Sequence, residues 1–509
     1  MALDIEEIRY LCAIRVEDHI PAVEQLQKYC HRIRHLELVN ATTEYHRIIN
    51  LTNLKTLTFD VEESLVRDWG LRRMMVKRSK RTLQRVELSL TNVKLDRSAW
   101  NEIVNFAKVD VLRMKNGVTL NLHLSDFFKV ISLVSELHLT YLSLPWTAMD
   151  LRSMEKGLPR LQHIDFYNVG TSDDVLLELL LRSRSLVSMI WINRSNSDPT
   201  GTAASVGAEL IRRFGDRYWP RLRTLILNGC FCTSDEGLAT ILRSMAPAET
   251  LGLEDSVFGP RSFYALMNGD HMGSLRVLNL CHARGVQSLH VLGILVSAPM
   301  LEQFMAPSIY VEDIIHKKRW VCTRLKTLVV GIKTRDYSDR NSRAWRELTW
   351  RDRYDVEDAK VLWSADLMEA LSRLEQLEVL DLRLHWWCSF NAFELDLTVR
   401  GESLTKLGTL SRLRRFLFNT AKVAHEEDVE WMMQHWPRLT CIHGNLSCPS
   451  QVDTKLMDIF KQHDMCFERH CKNAKHNGND RGTRNCNSED DTPWGIIDYS
   501  DAMRTFHGL

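Results

Sequence analysis

Features that would direct a protein to a membrane or to nucleic acid are missing from this sequence. It has no run of about 18 or more apolar residues, which argues against a transmembrane helix. Residues 1–8 contain neither a basic segment nor an apolar one, so we expect no secretory signal peptide. The 66 Lys and Arg are balanced by 65 Asp and Glu, whereas nucleic-acid-binding domains commonly carry a basic excess. We therefore expect no membrane or nucleic-acid partner, and a cytoplasmic or nuclear location.

Catalytic motifs are missing as well. The sequence contains no G-x-x-x-x-G-K-[ST] phosphate loop, no G-x-S-x-G nucleophile elbow and no H-E-x-x-H helix. Its 12 cysteines are irregularly spaced, and without a signal peptide we interpret them as reduced thiols. The thiols and imidazoles near the C-terminus lack the paired spacing of a zinc site; they are Cys466, His470, Cys471, His476 and Cys486. We predict that the protein is not an enzyme and uses no metal and no cofactor.

One apolar pattern recurs along most of the chain. Each copy has an apolar residue, two variable residues, a second apolar residue, one variable residue and a third apolar residue, as in Leu222-x-x-Leu225-x-Leu227. When the middle apolar residue is taken as a marker, sixteen copies run from Ile14 to Ile442, at an average spacing of about 28.5 residues. This spacing is close to that of a leucine-rich repeat. A single copy would be a weak match, but sixteen in near-regular phase favour a repeat array over ordinary α/β units.

The spacing has a direct structural meaning. The second and third apolar residues are two positions apart, so on a strand both point into the core, and the residue between them points the other way. The segments between copies often have helical spacing, as in Val175, Leu176, Leu179 and Leu180. Since one strand–helix unit cannot bury its apolar face alone, stacked units must supply the core. The sequence predicts a right-handed α/β leucine-rich-repeat solenoid, with a parallel concave sheet and helices on the convex side.

The repeat signal also suggests the domain organisation. We predict a solenoid of about sixteen repeats over residues 1–445, with insertions near 193–215 and 331–363, where the spacing lengthens. Beyond it, residues 446–509 are predicted to form a short helix and a mostly disordered tail that is rich in Gly, Asn and charged residues. We expect the chain to be a monomer.

The repeats also carry a resemblance to a known family. Leu225 to Leu238, with Cys230 and Cys232, resembles the cysteine-containing, ribonuclease-inhibitor-like repeat of F-box proteins. Residues 377–384 and 427–445 are similar to segments of large fungal F-box/leucine-rich-repeat proteins. The resemblance covers about residues 10–445. It implies the substrate-binding part of an SCF-type ubiquitin ligase, which binds a cullin-linked adaptor through its F-box and presents a substrate for ubiquitin-dependent degradation.

The F-box itself is not found in this chain. That helical module usually begins with a Leu-Pro pair, but the repeats here are already under way at Leu11, and Pro21 is the only proline in the first fifty residues. Either the chain is a relative without an F-box, or its reading frame begins inside a longer array. Adaptor binding therefore requires an F-box upstream. The alternative is a stand-alone scaffold or inhibitor, similar to ribonuclease inhibitor or to the repeat-built GTPase-activating protein of Ran.

The residue between the paired strand apolars is predicted to line the concave face. In the first seven repeats this residue is never apolar: Arg15, Glu37, Thr58, Glu87, Arg113, His138 and Asp165. Among the nine later repeats it is apolar at Ile190, Ile226, Met305, Val329 and Leu417. Because exposed apolar patches commonly mark interaction sites, we predict that these five side chains hold a protein partner. The alternatives are that β-branched residues simply suit strands, or that the register slips in weak repeats.

The second insertion offers another candidate contact. Residues 333–353 hold seven basic residues among four acids. Within them Arg343, Trp345, Arg346 and Trp350 are predicted to contact an acidic or phosphorylated partner, because the arginine fork matches carboxylate and phosphate oxygens. The alternative is a solvated loop held by salt bridges.

Overall fold

The computed structural model describes most of residues 84–447 and only short pieces outside that stretch. The longer internal gaps are 102–108, 193–201, 229–233, 336–355 and 385–392. The outlying pieces are 13–17, 35–39, 55–62, 459–460 and 466–468. The chain divides into two compact units: unit 1 comprises Met1–His290 and Ser297–Gln303, and unit 2 comprises Val291–Val296 and Phe304–Leu509.

Unit 1 is built from short parallel strands. In chain order they are β1 (Ala13–Glu17), β2 (His35–Val39), β3 (Thr56–Glu62), β4 (Arg85–Thr91), β5 (Lys94–Leu95), β6 (Val109–Lys115), β7 (Thr119–Leu120), β8 (Glu136–Thr140), β9 (His163–Tyr167), β10 (Ser188–Ile192), β11 (Thr224–Asn228), β12 (Thr250–Gly252) and β13 (Val277–Asn279). Strands β5 and β7 pair with each other, and the remaining strands pair in parallel in the order of the chain.

Helices follow most of these strands from β7 onward. They are α1 (Leu124–Ile131), α2 (Ala148–Arg152), α3 (Asp173–Leu181), α4 (Thr202–Gly215), α5 (Asp235–Ser244), α6 (Pro260–Asn268) and α7 (Ser288–Leu295), of which α7 belongs to unit 2 from Val291 onward. Helix α4 occupies the second half of the first predicted insertion, and residues 193–201 lie outside the described part. The core lies between strands and helices: Leu179 and Leu180 of α3 and Leu225 of β11 are fully buried.

Unit 2 repeats the same arrangement with more irregular spacing. Its strands are β14 (Gln303–Tyr310), β15 (Thr327–Lys333), β16 (Val379–Asp381), β17 (Glu394–Asp396), β18 (Arg415–Lys422), β19 (Cys441–Ser447) and β20 (Cys466–Glu468). Its helices are α8 (Val311–Ile314), α9 (Val356–Ser372), α10 (Glu426–His435) and a 3-10 helix at Thr405–Thr409. Strand β16 pairs in parallel with β15 and β18, and β18 pairs with β17 and β19.

The strand register agrees with the sequence pattern. All sixteen marker residues lie in strands, and Leu137, Ile164, Met189 and Leu225 stand opposite one another on consecutive strands. Parallel strands that alternate with helices confirm the predicted α/β leucine-rich-repeat fold. The described residues contain no helix that is both long and apolar enough to span a membrane.

The register departs from the prediction between β4 and β6. Val86 pairs with Val109 and Glu87 with Val111, so Asp110 is an extra residue in the ladder. The Asp110 carboxylate accepts a hydrogen bond from the backbone N–H of Val86, at 3.3 Å. Every pair after this β-bulge is offset by two residues from the marker alignment, so Arg113 lies opposite Ser89 rather than Glu87.

A further strand lies beyond the predicted end of the array. Strand β20 pairs in parallel with β19 and places Phe467 opposite Ile442. The apolar pattern predicts no strand in residues 446–509, because the full apolar triad does not recur there. Residues 469–509 lie outside the described part.

Buried tryptophans tie neighbouring repeats together in both units. The indole N–H of Trp219 donates to the backbone carbonyl of Ser183 at 3.1 Å, and that of Trp436 donates to the carbonyl of Leu407 at 3.0 Å. Both side chains are buried, and each precedes a Pro-Arg-Leu segment. The indole therefore fills core volume while its polar atom is hydrogen-bonded to the preceding repeat.

Candidate functional site

One face of the unit 1 sheet carries the residues that lie between the buried apolar positions, and we call it the open face. On β4, β6, β8 and β9 it carries the charged half, which consists of Arg85, Glu87, Arg113, Glu136, His138 and Asp165. On β10 to β12 it carries the apolar half, which consists of Ile190, Ile226 and Gly252. The two halves meet where Asp165 of β9 stands opposite Ile190 of β10.

Ion pairs run across the strands of the charged half. Arg113 Nε of β6 lies 2.5 Å from Glu87 Oε1 of β4. Arg85 Nη2 of β4 lies 2.9 Å from Glu136 Oε2 of β8. These contacts join strands that are far apart in sequence, so they place charged groups at fixed positions on a rigid sheet.

His138 is held between two carboxylates. Its Nδ1 lies 3.3 Å from Asp165 Oδ2, and its Nε2 lies 3.7 Å from Glu136 Oε2. The side chains of the charged half are between 14% and 32% exposed, so they are packed against one another but still reach solvent. Partly desolvated charges of this kind interact more strongly than freely exposed ones.

The pKa values in this cluster reflect its contacts. Burial by itself would raise the pKa of Glu136, but the contact with His138 and the charge of Arg85 outweigh it and lower that pKa to about 2. Burial would likewise lower the pKa of His138, but the hydrogen bond with Asp165 and the nearby carboxylate of Glu136 outweigh it, so the pKa is raised. Both shifts favour a charged pair.

The apolar half of the open face is buried. Ile190 is only 7% exposed and Ile226 only 3% exposed. A Cβ placed on Gly252 would lie 2.8 Å from Ile226 Cγ2, so the missing side chain leaves room for Ile226 to pack over the neighbouring strand. These two isoleucines occupy the predicted register positions, but they do not form an exposed patch.

The predicted apolar residues of unit 2 are buried too. Met305, Val329 and Leu417 are 5%, 2% and 5% exposed. Between Val329 and Leu417, on β16, stands Asp381, whose carboxylate accepts two hydrogen bonds from the Arg383 guanidinium at 2.9 and 2.7 Å. The expectation that the five apolar side chains would be exposed is therefore corrected, because each packs against its neighbours. Their contact with a partner stays a prediction.

The candidate contact in the second insertion cannot be placed. Arg343, Trp345, Arg346 and Trp350 lie outside the described residues. Just before them, Arg335 Nη2 lies 2.5 Å from Asp313 Oδ1 in the same unit.

A tyrosine pair at the end of β8 and β9 was missed in the sequence. Tyr141 has a positive φ of 50° and is 51% exposed, and its ring packs edge-on against Tyr167 with centroids 5.4 Å apart. At comparable positions after strands, Asn92 and Asn168 adopt similar φ values of 53° and 46°. Asparagine tolerates this conformation better than tyrosine, so the tyrosine is a candidate contact residue. The signal in the sequence was an aromatic residue where related repeats have asparagine.

The described part of the chain contains no group of three or more His, Cys, Asp and Glu side chains placed to hold a metal ion. Burial raises the pKa of the Cys322 thiol to about 12, so this thiol is protonated at neutral pH.

Comparisons with known proteins identify no family. No protein-family model and no curated protein matches this sequence. Among solved structures, the chain is similar to TLR13 in a crystal structure of the TLR13–ssRNA13 complex, with 12% sequence identity and a TM-score of 0.29. The match covers 88% of this chain and 63% of that chain. A similarity this low carries no argument about fold or function.

Proposed function

We propose that this protein is a non-enzymatic recognition module that binds a protein partner through the charged half of its open face. The observation that carries the proposal is the fixed, partly exposed array formed by Arg85, Glu87, Arg113, His138 and Asp165. Complementary charges on a preorganised surface favour one partner over others and guide its approach.

The resemblance of the repeats to fungal F-box proteins supports a more specific version. In it, the chain is the substrate receptor of an SCF-type ubiquitin ligase in the cytoplasm or nucleus, and the adaptor is bound through an F-box upstream. The second candidate is a stand-alone scaffold or inhibitor that binds its partner through the same open face. In both versions Ile190, Ile226, Met305, Val329 and Leu417 remain proposed partner contacts within their own units, and so do Arg343, Trp345, Arg346 and Trp350 of the second insertion.

Affinity purification with mass spectrometry tests the proposal. The test variant combines Arg85→Gln and Arg113→Gln, which remove two cations from the open face. The matched control combines Arg212→Gln and Arg243→Gln, which remove two exposed cations from helices α4 and α5. We expect at least one protein to co-purify with the wild type and the control but to be lost from the open-face variant. If all three retain the same proteins, the proposed face is wrong.

The same measurement separates the two candidate functions. Cullin-adaptor subunits among the co-purified proteins support the ligase receptor. If partners depend on the open face and no adaptor is present, the scaffold or inhibitor replaces the receptor.

A further inference from the structure

The position of His138 constrains its protonation state. Each ring nitrogen faces a different carboxylate: Nδ1 faces Asp165 Oδ2 at 3.3 Å, and Nε2 faces Glu136 Oε2 at 3.7 Å. A neutral imidazole carries only one N–H, so it can donate to only one of them, and its other nitrogen presents a lone pair to the second. Both contacts are attractive only in the imidazolium form.

The charged groups around His138 come from all the strands packed beside it. On β6, Arg113 opposes protonation, but its charge is partly neutralised by Glu87 of β4. On β8, Glu136 favours protonation and is shared with Arg85 of β4. Strand β9 contributes Asp165, which favours protonation, and His163, which stands opposite Glu136. The two carboxylates outweigh both the burial of the ring and the charge of Arg113.

Hydrogen bonding in the cluster is incomplete. Two of its buried polar atoms, His138 Nε2 and Asp165 Oδ1, have no hydrogen-bond partner within the described structure, and His138 Nε2 lies 3.7 Å from Glu136 Oε2. An incompletely bonded polar network is sensitive to the gain or loss of a single proton, because each proton decides which contacts are hydrogen bonds.

We propose that His138 is a proton-controlled clasp between β8 and β9 that regulates recognition by the charged half of the open face. With the proton bound, the imidazolium bridges Glu136 and Asp165 and neutralises part of their charge. When the proton leaves to solvent, one carboxylate loses its donor and the face becomes more negative by one charge. The effect on binding rests on the proposed function, whereas the clasp itself does not.

The direction of the effect follows from the environment of the ring. Because its two carboxylate partners raise the pKa of His138, the clasp is closed below the ordinary histidine pKa of about 6.5. It opens as the pH rises through the higher pKa of the folded protein. A partner that prefers the more negative face binds better at alkaline pH, and one that needs the neutralised face binds worse.

NMR titration of the His138 ring in the full-length chain tests the clasp without any partner. The His138→Gln variant assigns the signal. We expect a midpoint above that of an unstructured histidine peptide, and a downward shift in both Glu136→Gln and Asp165→Asn. The matched control is Glu249→Gln, which removes a carboxylate that pairs with Arg223 away from the cluster, and it should leave the midpoint unchanged. Circular dichroism checks that each variant is folded. A wild-type midpoint at or below the peptide value, or two carboxylate variants without a shift, overturns the clasp.

Capture of the partner at two pH values tests the regulatory role. The probe is the set of proteins that co-purify with the wild type but are lost from the variant with Arg85→Gln and Arg113→Gln. Their recovery is measured at about pH 6 and about pH 8.5. We expect a several-fold change in their recovery with the wild type and little change with His138→Gln. Equal pH dependence in the two proteins overturns the regulation. If no co-purified protein depends on Arg85 and Arg113, the proposed function fails and the regulatory role with it, while the NMR titration still decides whether the clasp exists.

Discussion

The charged and apolar halves of the open face share one backbone arrangement and differ sharply in exposure. His138, Asp165, Ile190 and Ile226 stand opposite one another on consecutive parallel strands. Yet the His138 and Asp165 side chains are 19% and 26% exposed, whereas Ile190 and Ile226 are 7% and 3% exposed. Charged side chains keep their tips in water, while branched apolar ones lie against the adjacent strand. The same register therefore yields a partly exposed charged surface in one half and a packed apolar layer in the other.

The substitution with the largest expected effect on stability places a carboxylate in the apolar half. Ile226→Asp should lower the free energy of unfolding by about 3–5 kcal/mol, since it removes a buried side chain and buries an unpaired charge. Thr224→Asp on the same strand is the matched control. Because the Thr224 side chain is half-buried, this change should lower the free energy of unfolding much less. Urea denaturation followed by circular dichroism measures both. Similar stability of the two variants would mean that the apolar half is open to water.

Crowding the apolar half should have an intermediate effect. Gly252→Ala adds a Cβ that would lie 2.8 Å from Ile226 Cγ2 and 3.3 Å from its Cβ, so the branched side chain or the strand must move. We expect a loss of about 1–3 kcal/mol in the free energy of unfolding. Gly273→Ala is the matched control, because a Cβ there meets no atom within 4 Å. If chemical denaturation gives the same midpoint for both alanine variants, Ile226 does not depend on the space at Gly252.

Placing an apolar residue in the charged half should lower the free energy of unfolding by less. Asp165→Ile extends the apolar half by one strand and removes the carboxylate that His138 contacts at 3.3 Å. Because Glu136 still faces the ring and Asp165 is partly exposed, we expect a loss of about 1–2 kcal/mol. The denaturation midpoint measures the loss. An unchanged or increased stability would show that the His138–Asp165 contact does not stabilise the fold.

The smallest effect is a pH dependence with opposite signs at two histidines. The pKa of His138 is raised by its carboxylate partners, so its contribution to stability is complete below about pH 6.5 and is lost as the pH rises through its folded value. His271 accepts a hydrogen bond from the Ala248 N–H at 3.0 Å and donates to the Leu242 carbonyl at 2.9 Å, and burial lowers its pKa. Stability is therefore lost through His271 as the pH falls below about 6.5.

Denaturation curves across the pH range distinguish these contributions. His138→Gln should flatten the alkaline decline and leave the acid decline in place. His271→Gln should flatten the acid decline, although it is less stable overall because buried hydrogen bonds are lost. Parallel curves for wild type and both variants would contradict the assignment.

The repeat pattern predicted the strands well because burial imposes it at every strand. Each marker from Ile14 to Ile442 lies in a strand, since two apolar residues two positions apart are needed to reach the core. The bulge at Asp110 was not predicted, because one extra residue leaves the local apolar pattern intact and shifts only the pairing with the next strand. Strand β20 was missed because Phe467 has no complete triad around it.

The candidate site was less predictable than the fold. That His138 and Asp165 share one face followed from the register, but their contact depends on side-chain direction and on the distance between β8 and β9. The burial of Ile226 depends on Gly252 in the next repeat, which matters only once the two strands are side by side.

Sequence periodicity alone was enough to indicate the fold class and the order of the parallel strands, because each repeat must hide the same apolar positions to be stable. The exposure of the face, the ion pairs across β4, β6, β8 and β9, and the two carboxylates around His138 emerged from tertiary packing. The physical reason is that these properties depend on distances between residues from different repeats, and a one-dimensional pattern carries no such distances.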